Sequence, residues 1–502
     1  MRRIFFLLFL LVSGMPVDAQ EAVSPPLPVQ SHTLTNGLRL LILPRHAAPT
    51  VAFVVQYRIG SVNEEPGETG LAHLLEHLLF KGTTTVGTLN YQAEAPILDE
   101  MDRVQETLAK VRRGGDTPDD STRIRMLEGR LEILQEQASA LTEPNEFDVI
   151  LSRNGARGLN ASTTSEATTY YVELPANRTE LWFVMEGDRM RNPVFREFYT
   201  ERDVVAEERR LRLETNPGGL LYEAHIGEAF RVHPYGRPVI GTMEDLENLS
   251  RRDVREYFRT YYGPNNAVVA IVGDVDPQQT LRWARRYLGT VPRGNSPPPV
   301  DVEEPPQEGE RRVRVAFEAE PGLRIGWRVP SAFHPDAPAL AMLASILTGG
   351  RSSRLYQRLV IQDRLATGVT SGTGPGYLFP RLFSIDASPR FPHSPAAVET
   401  AIYQELDRLR DVPPEEVEVQ RVRNQLEASA VRRLRSNFGL AIQLAESESL
   451  FGDWRHTFEF FRSMESVTPR DIQRVVREYF TPDQRTVAVL ARVEEVVEGG
   501  LE

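Results

Sequence analysis

"SRRDVREYFRTYYGPNNAVVAIVGDVD" (Ser250–Asp276) and "TPRDIQRVVREYFTPDQRTVAVLARVE" (Thr468–Glu494) align without a gap. Arg252 falls on Arg470, Asp253 on Asp471, Tyr261 on Tyr479, Pro264 on Pro482 and Ala270 on Ala488. Each stretch reads as a capped helix, a Pro-marked turn and a β-rich strand. Helix–turn–strand units are common, but one register held throughout points to a duplicated domain. Between the copies lies "PRGNSPPPVDVEEPPQEGE" (Pro292–Glu310). Its prolines and acids sustain neither a helix nor a central strand, so it reads as an extended linker. Strand patterns such as "TVAFVVQYRIG" alternate with helical ones. The expectation is an α+β chain of two duplicated domains, each an antiparallel-rich sheet covered by helices. The first spans 28–290, the linker 291–310 and the second 311–498.

The chain has 502 residues, 41% of them hydrophobic, enough for two real cores. A net charge of −12 provides no broad basic face, which argues against a nucleic-acid binder. The first residues, "MRRIFFLLFLLVSGMPVDAQ", have the layout of a signal peptide cut after Ala19. The apolar run is short for a membrane span, and no later segment is apolar enough, so no stable membrane anchor is expected. With no Cys, disulfides and thiol catalysis are excluded. These features together suggest a periplasmic or otherwise secreted protein.

An insertion of about 92–150 interrupts the first half. Ile97, Met101, Val104, Leu108 and Val111 follow heptad steps, and so do Ile124, Leu127, Leu131, Leu134, Ala138 and Leu141 beyond the breaker "GGDTPDD". The pattern predicts an antiparallel helical hairpin, either a surface decoration or a docking arm.

Chemistry concentrates in "GLAHLLEHLLFKGT" (Gly70–Thr83). On a helix His73 and His77 are one turn apart, with Glu76 on the same face. Two such imidazoles can grip one Zn²⁺, and Glu76 is placed to take a proton from the water that the metal activates. The order His-x-x-Glu-His is a metalloprotease signature. A third ligand is needed. "YTERDVVAEERRLRLE" (Tyr199–Glu214) provides Glu201 and Glu208, seven apart and hence on one face, with Val204 and Val205 marking that face as inward. Glu207 is the rival ligand, rotated by about 100°.

These motifs resemble the pitrilysin-type (inverzincin) zinc metallopeptidases, in particular two-domain members akin to the mitochondrial processing peptidase β subunit. The resemblance also covers "GLNASTTSEATTYYVELP" (Gly158–Pro175), "HPYGRPVIGTMEDL" (His233–Leu246), "YYGPNNAVVAIVGDVD" (Tyr261–Asp276) and "LTGGRSSRLYQRL" (Leu347–Leu359). It implies a processing-peptidase-like metallohydrolase fold with one zinc per chain, held by His73, His77 and Glu208. It implies Glu76 as the general base and Glu201 as the carboxylate that orients the site. The segment Asn160–Ala161 resembles the family's edge strand, on which a peptide substrate adds as a β-strand. In the family about 75 residues separate the second His from the ligand Glu. Here the gap is 131 (208 − 77), and the hairpin inside it accounts for the excess.

The chain departs from the family in its second half. An Arg and a Tyr of fully equipped members align with Val360 and Thr367 in "LYQRLVIQDRLATGV". Neither replaces the lost donors, and Arg358 and Arg364 fall on other faces. The pattern resembles the zinc-bearing member of a bacterial heterodimer whose non-zinc partner supplies Arg and Tyr, with a homodimer as the alternative. The reading is a zinc endopeptidase subunit acting on peptides or unfolded segments. The alternatives are a non-catalytic assembly subunit and a zinc hydrolase of other substrates. The remaining histidines receive structural readings: His233 and His393 in turns, His225 on a helix face.

Overall fold

The computed structural model describes residues 27–114 and 118–492. The expected signal peptide and the last residues of the second domain lie outside them. The first sheet comprises β1 (Gln30–Thr33), β2 (Arg39–Pro44), β3 (Thr50–Tyr57), β4 (Arg157–Thr163), β5 (Thr168–Pro175) and β6 (Ala267–Gly273), in the order β1-β2-β6-β3-β5-β4. The second comprises β7 (Arg311–Ala316), β8 (Gly322–Val329), β9 (Ala366–Gly374), β10 (Arg381–Pro389) and β11 (Arg485–Ala491), in the order β7-β11-β8-β10-β9. From β2 onward the two orders correspond strand for strand. In each sheet one pair is parallel, β2 with β6 and β7 with β11, and the others are antiparallel. The aligned motifs become the helices Arg251–Tyr261 and Pro469–Tyr479, each leading into its sheet's inner strand. Both open with a capping box, Ser250 with Asp253 and Thr468 with Asp471, which fixes the same start in both copies.

Each sheet buries one face in its own domain, and each lends its other face to a helix of the opposite domain. The helix Asn437–Phe451 of the second half sets Leu440, Ala441, Leu444 and Ala445 against Leu41, Val54, Val268 and Ala270 of the first sheet. Reciprocally, the helix Pro217–Ala229 of the first half packs on β7, β8 and β11. There His225 is fully buried, and its Nε2 lies 3.2 Å from the Thr486 carbonyl oxygen. A Cβ at Gly326 would come within 2.6 Å of that ring, so only glycine fits beneath it. Burial, then the positive Arg324, pushes the His225 imidazole down to about 3, so it packs as a neutral ring.

The linker is extended, as its prolines dictate, but pinned. Half-buried Glu304 accepts hydrogen bonds from the backbone N–H groups of Arg231, Val232 and His233 and pairs with Arg328 at 3.5 Å. His233 caps the turn Pro234–Gly236, and the His393 N–H donates to the Arg390 carbonyl.

The hairpin consists of the helices Tyr91–Gly114 and Pro118–Ser139, and its heptad residues lie between them. Its base differs from a mere decoration. Leu98, Met101, Val104, Leu134 and Ala138 join the main core of the first domain, and Asp102 binds buried Arg251 at 2.9 Å. Excising Pro96–Asn145 therefore opens the core and unpairs a buried arginine.

Candidate metal centre

The helix Leu71–Leu78 follows Gly70, whose φ of +91° is a left-handed turn. A Cβ there would meet the Ile240 carbonyl oxygen at 2.7 Å. Buried Glu64 reaches the same end and accepts hydrogen bonds from the N–H groups of Gly70 (3.0 Å) and Ala72 (2.7 Å). Two donors of the buried helix start are thus satisfied from a distance, at the positive end of the dipole. Leu71, Leu74, Leu75 and Leu78 anchor the helix in the core, fixing the side that carries His73, Glu76 and His77.

The helix Phe198–Arg209 crosses that side. Glu208 Oε2 lies 3.8 Å from His73 Nε2 and 3.5 Å from His77 Nε2. One donor atom from each residue fits within a 4.8 Å group. Tetrahedral zinc with ligands at about 2.0–2.2 Å keeps its donors roughly 3.3–3.6 Å apart, and the two distances from Glu208 are already close to that spacing. Glu207 points away and pairs with Arg210 at 3.0 Å. The inward face includes Val205 and excludes Val204, which is 46% exposed; successive helical residues diverge by about 100°, so both cannot face inward.

Around the cluster the remaining polar atoms form a chain. Glu201 Oε2 is 3.3 Å from His77 Nδ1, and Glu201 Oε1 is 2.7 Å from Lys81 Nζ. This is the carboxylate–histidine arrangement that orients a metal-binding imidazole. Although burial opposes it, the hydrogen bond to Glu201 and the nearby Glu208 charge raise the His77 pKa. Burial likewise works against Glu201, but the bonds from His77 and Lys81 keep it below the usual carboxylate range. Burial, then the neighbouring His77, pushes His73 down to about 3, leaving it a neutral donor. Its buried Nδ1 has no partner among the described residues, and Nε2 is the nitrogen that faces Glu208. Arg212 holds the other Glu208 oxygen at 2.7 Å.

Glu76 Oε2 accepts from Thr163 Oγ1 at 2.5 Å, at the end of β4. Burial raises the Glu76 pKa, in the direction that suits proton transfer. β4 is the sheet's edge, so its outer side is open to strand addition. Asn160 is exposed there and Ala161 buried; Asn160 Oδ1 accepts from the Ala161 N–H at 2.9 Å.

Beyond β4, buried Glu166 in the β4–β5 turn binds across the domains. It accepts from the N–H groups of Tyr377 and Leu378, each at 2.7 Å, and from the Tyr235 hydroxyl. The loop between β9 and β10 is thereby fastened to the β4–β5 turn of the first domain. Val360 is half-buried, while exposed Thr367 donates to the Ser388 carbonyl oxygen at 3.3 Å. Arg358 is occupied within its own domain, donating to the Ala401 carbonyl at 3.0 Å.

Sequence reasoning missed Glu64, Lys81, Thr163, Arg212 and Glu166. Lys81 and Arg212 had a signal, each lying one turn beyond a site residue, at His77 + 4 and Glu208 + 4. Glu64 had none, since Glu65 and Glu68 compete with it in the same loop.

A duplicated α+β fold with a His-x-x-Glu-His helix facing a glutamate helix defines a zinc-metallopeptidase class, and the chain belongs to peptidase family M16. The model described as "Insulinase (Peptidase family M16)" matches residues 40–96 and 133–243, and "Peptidase M16 inactive domain" matches 248–426. The interval left out of the first match falls on the hairpin, inside the expected 92–150 insertion. Among relatives, the chain is 27% identical to zinc protease PqqE of Helicobacter pylori over 471 residues, covering 92% of each. It is 26% identical to an uncharacterized zinc protease of Streptomyces coelicolor over 460 residues, covering 90% of this chain and 87% of that one. A solved protease from Helicobacter pylori has a TM-score of 0.78 at 26% identity, covering 92% of this chain and 99% of that one. The periplasmic protease PqqL from Escherichia coli shares the fold, with a TM-score of 0.68 at 18% identity, 94% of this chain matching 48% of that one.

Proposed function

We propose that this chain is a zinc-dependent endopeptidase subunit that hydrolyses peptides or unfolded segments laid along β4. The observation that carries this reading is the convergence of His73, His77 and Glu208 beside Glu76 at an open sheet edge. His73, His77 and Glu208 would hold one zinc ion, which when bound supplies Lewis acidity to a water and to the scissile carbonyl. Glu76 takes a proton from the attacking water and returns it to the leaving amine. Thr163 orients its carboxylate, while Glu201 fixes the His77 ring through Nδ1. Asn160 and Ala161 present backbone to the substrate.

The second domain offers no arginine or phenol at positions 360 and 367 to steady a developing oxyanion. Losing one such donor typically costs about 10²–10³ in rate. A related non-zinc subunit carrying Arg and Tyr is the proposed complement, and export from the cytoplasm the proposed location. The test is metal content and peptide hydrolysis of the purified mature chain. Glu76→Gln should keep its zinc and lose turnover, whereas His73→Ala or Glu208→Gln should lose both. A Glu208→Gln variant retaining zinc and activity would overturn the ligand assignment. Turnover by the chain alone, unchanged by co-expression with such a subunit, would overturn the partnership.

A further inference from the structure

The second hairpin helix carries two seams. One is the heptad row that meets the first helix. The other is Met126, Gly129 and Ile133, spaced 3 and 4, on nearly the opposite face. Met126 is 72% exposed and Ile133 49%, although both are large apolar residues one heptad apart. At Gly129 a Cβ would meet nothing within 4 Å, so the middle of this row is bare backbone open to close approach. A solvated helix face has no need of an apolar row at this spacing. The flank of the row is polarised: Arg125 lies toward the helix start, Glu132 and Glu136 toward its end, and none of the three makes an ion pair among the described residues. In an antiparallel pair each flank meets its own other half. A two-fold axis between Gly129 and Arg130 places Met126 against Ile133 of the second copy. It also sets Arg125 between Glu132 and Glu136 of that copy.

We propose that the outer face of the helix Pro118–Ser139 is a self-association surface on which a second copy of this chain docks antiparallel, giving a helix-pair contact between two hairpins. The row is self-complementary in shape and charge, which singles out a second copy over an unrelated partner. A single helix pair is smaller than a standard interface of about 1,200–2,000 Å². The association is therefore weak and concentration-dependent. Arg130 of each copy lies near the axis on the other flank and opposes it, so Arg130→Gln tightens the dimer.

The chain has no cysteine, which permits a direct register test on the mature, zinc-loaded protein. Chains carrying Met126→Cys alone and Ile133→Cys alone are mixed under mild oxidation. A mixed disulfide should form at least tenfold faster than either homodimeric one, because only the 126–133 pair comes within the approximately 4 Å Cβ separation that a disulfide needs. In sedimentation velocity, Met126→Glu with Ile133→Glu should abolish the dimer without changing zinc content or circular dichroism. Arg125→Glu should weaken the dimer, and adding Glu132→Arg and Glu136→Arg should restore it. A chain monomeric at about 100 μM overturns the proposal. So does a dimer indifferent to these substitutions, or preferential 126–126 cross-linking.

Discussion

Glu94→Gln should strongly destabilise the first domain, although Glu94 touches neither ligand nor substrate. Arg196 is 1% exposed and Glu94 0%. The pair is bidentate, with Nε to Oε1 at 2.6 Å and Nη2 to Oε2 at 3.0 Å. The remaining guanidinium donors go to the carbonyls of Thr83 at 2.6 Å and of Lys81 and Val86 at 3.2 Å. Arg196 thus gathers the loop after the histidine helix and the start of the hairpin around one buried charge. The amide removes the balancing carboxylate and turns an N–H toward a donor. An uncompensated buried charge costs about 3–5 kcal/mol. At roughly 2–4 °C per kcal/mol for a domain of this size, the first transition should fall by about 6–20 °C. Scanning calorimetry of wild type and variant, with and without saturating zinc, measures it. The double replacement Glu94→Leu, Arg196→Met should recover most of the loss, because it removes both charges together. A Glu94→Gln transition within about 2 °C of wild type, or a double variant worse than the single one, would refute the reasoning.

Burial holds the Glu64 carboxyl up at about 8 against the pull of the Ala72 and Gly70 N–H groups. Between its ordinary 4.5 and about 8 the native state keeps a proton that the unfolded chain has lost, so stability should fall as pH rises through that window. Urea midpoints should show that slope in wild type and a flatter one in Glu64→Gln. Glu166→Ala unpairs the Tyr377 and Leu378 N–H groups and should cost about 1–3 kcal/mol, with hydrogen exchange accelerated at those two amides. Removing Pro96–Asn145 should lower the melting temperature, whereas a shorter excision distal to Val104 and Leu134 should leave zinc binding intact.

The duplication was legible because capping boxes and strand alternation are local, and both copies kept them. The candidate metal pair was legible because His73 and His77 lie one turn apart on a single helix. Glu208 needed the family resemblance, since nothing local separates it from Glu207; only the packing of two distant helices does. Val204 shows the limit of reading a face from composition, because an apolar side chain beside Val205 sits on the solvent side. The role of Glu64 could not be read at all: it depends on a loop folding back onto a helix end, a contact without periodicity. The hairpin was legible as a hairpin, but the attachment of its base was not. Heptad spacing reports the partner helix and is silent on Arg251 and Arg196 beneath.

Among the described residues the second domain has no counterpart of the His73–His77–Glu208 group, yet the architecture gives it a part in placing that group. The glutamate helix ends at Arg209 and continues through the π-helical stretch Arg210–Glu214 into the helix Pro217–Ala229, which lies on the second sheet with His225 against Gly326. Arg209 ties the two helices, binding Glu223 at 2.6 Å and Glu214 at 3.3 Å. The position of Glu208 relative to His73 and His77 is thus set partly by how the first half seats on the second. A displacement of that helix would be felt at Glu208 through the Arg210–Glu214 stretch and Arg209, since packed interiors transmit shifts rather than absorb them. It follows that Gly326→Ala, remote from the cluster, should weaken zinc affinity while leaving the histidine helix folded. A competition titration with a chelating dye would read the change. Unaltered affinity would mean that Glu208 is held by its own domain alone.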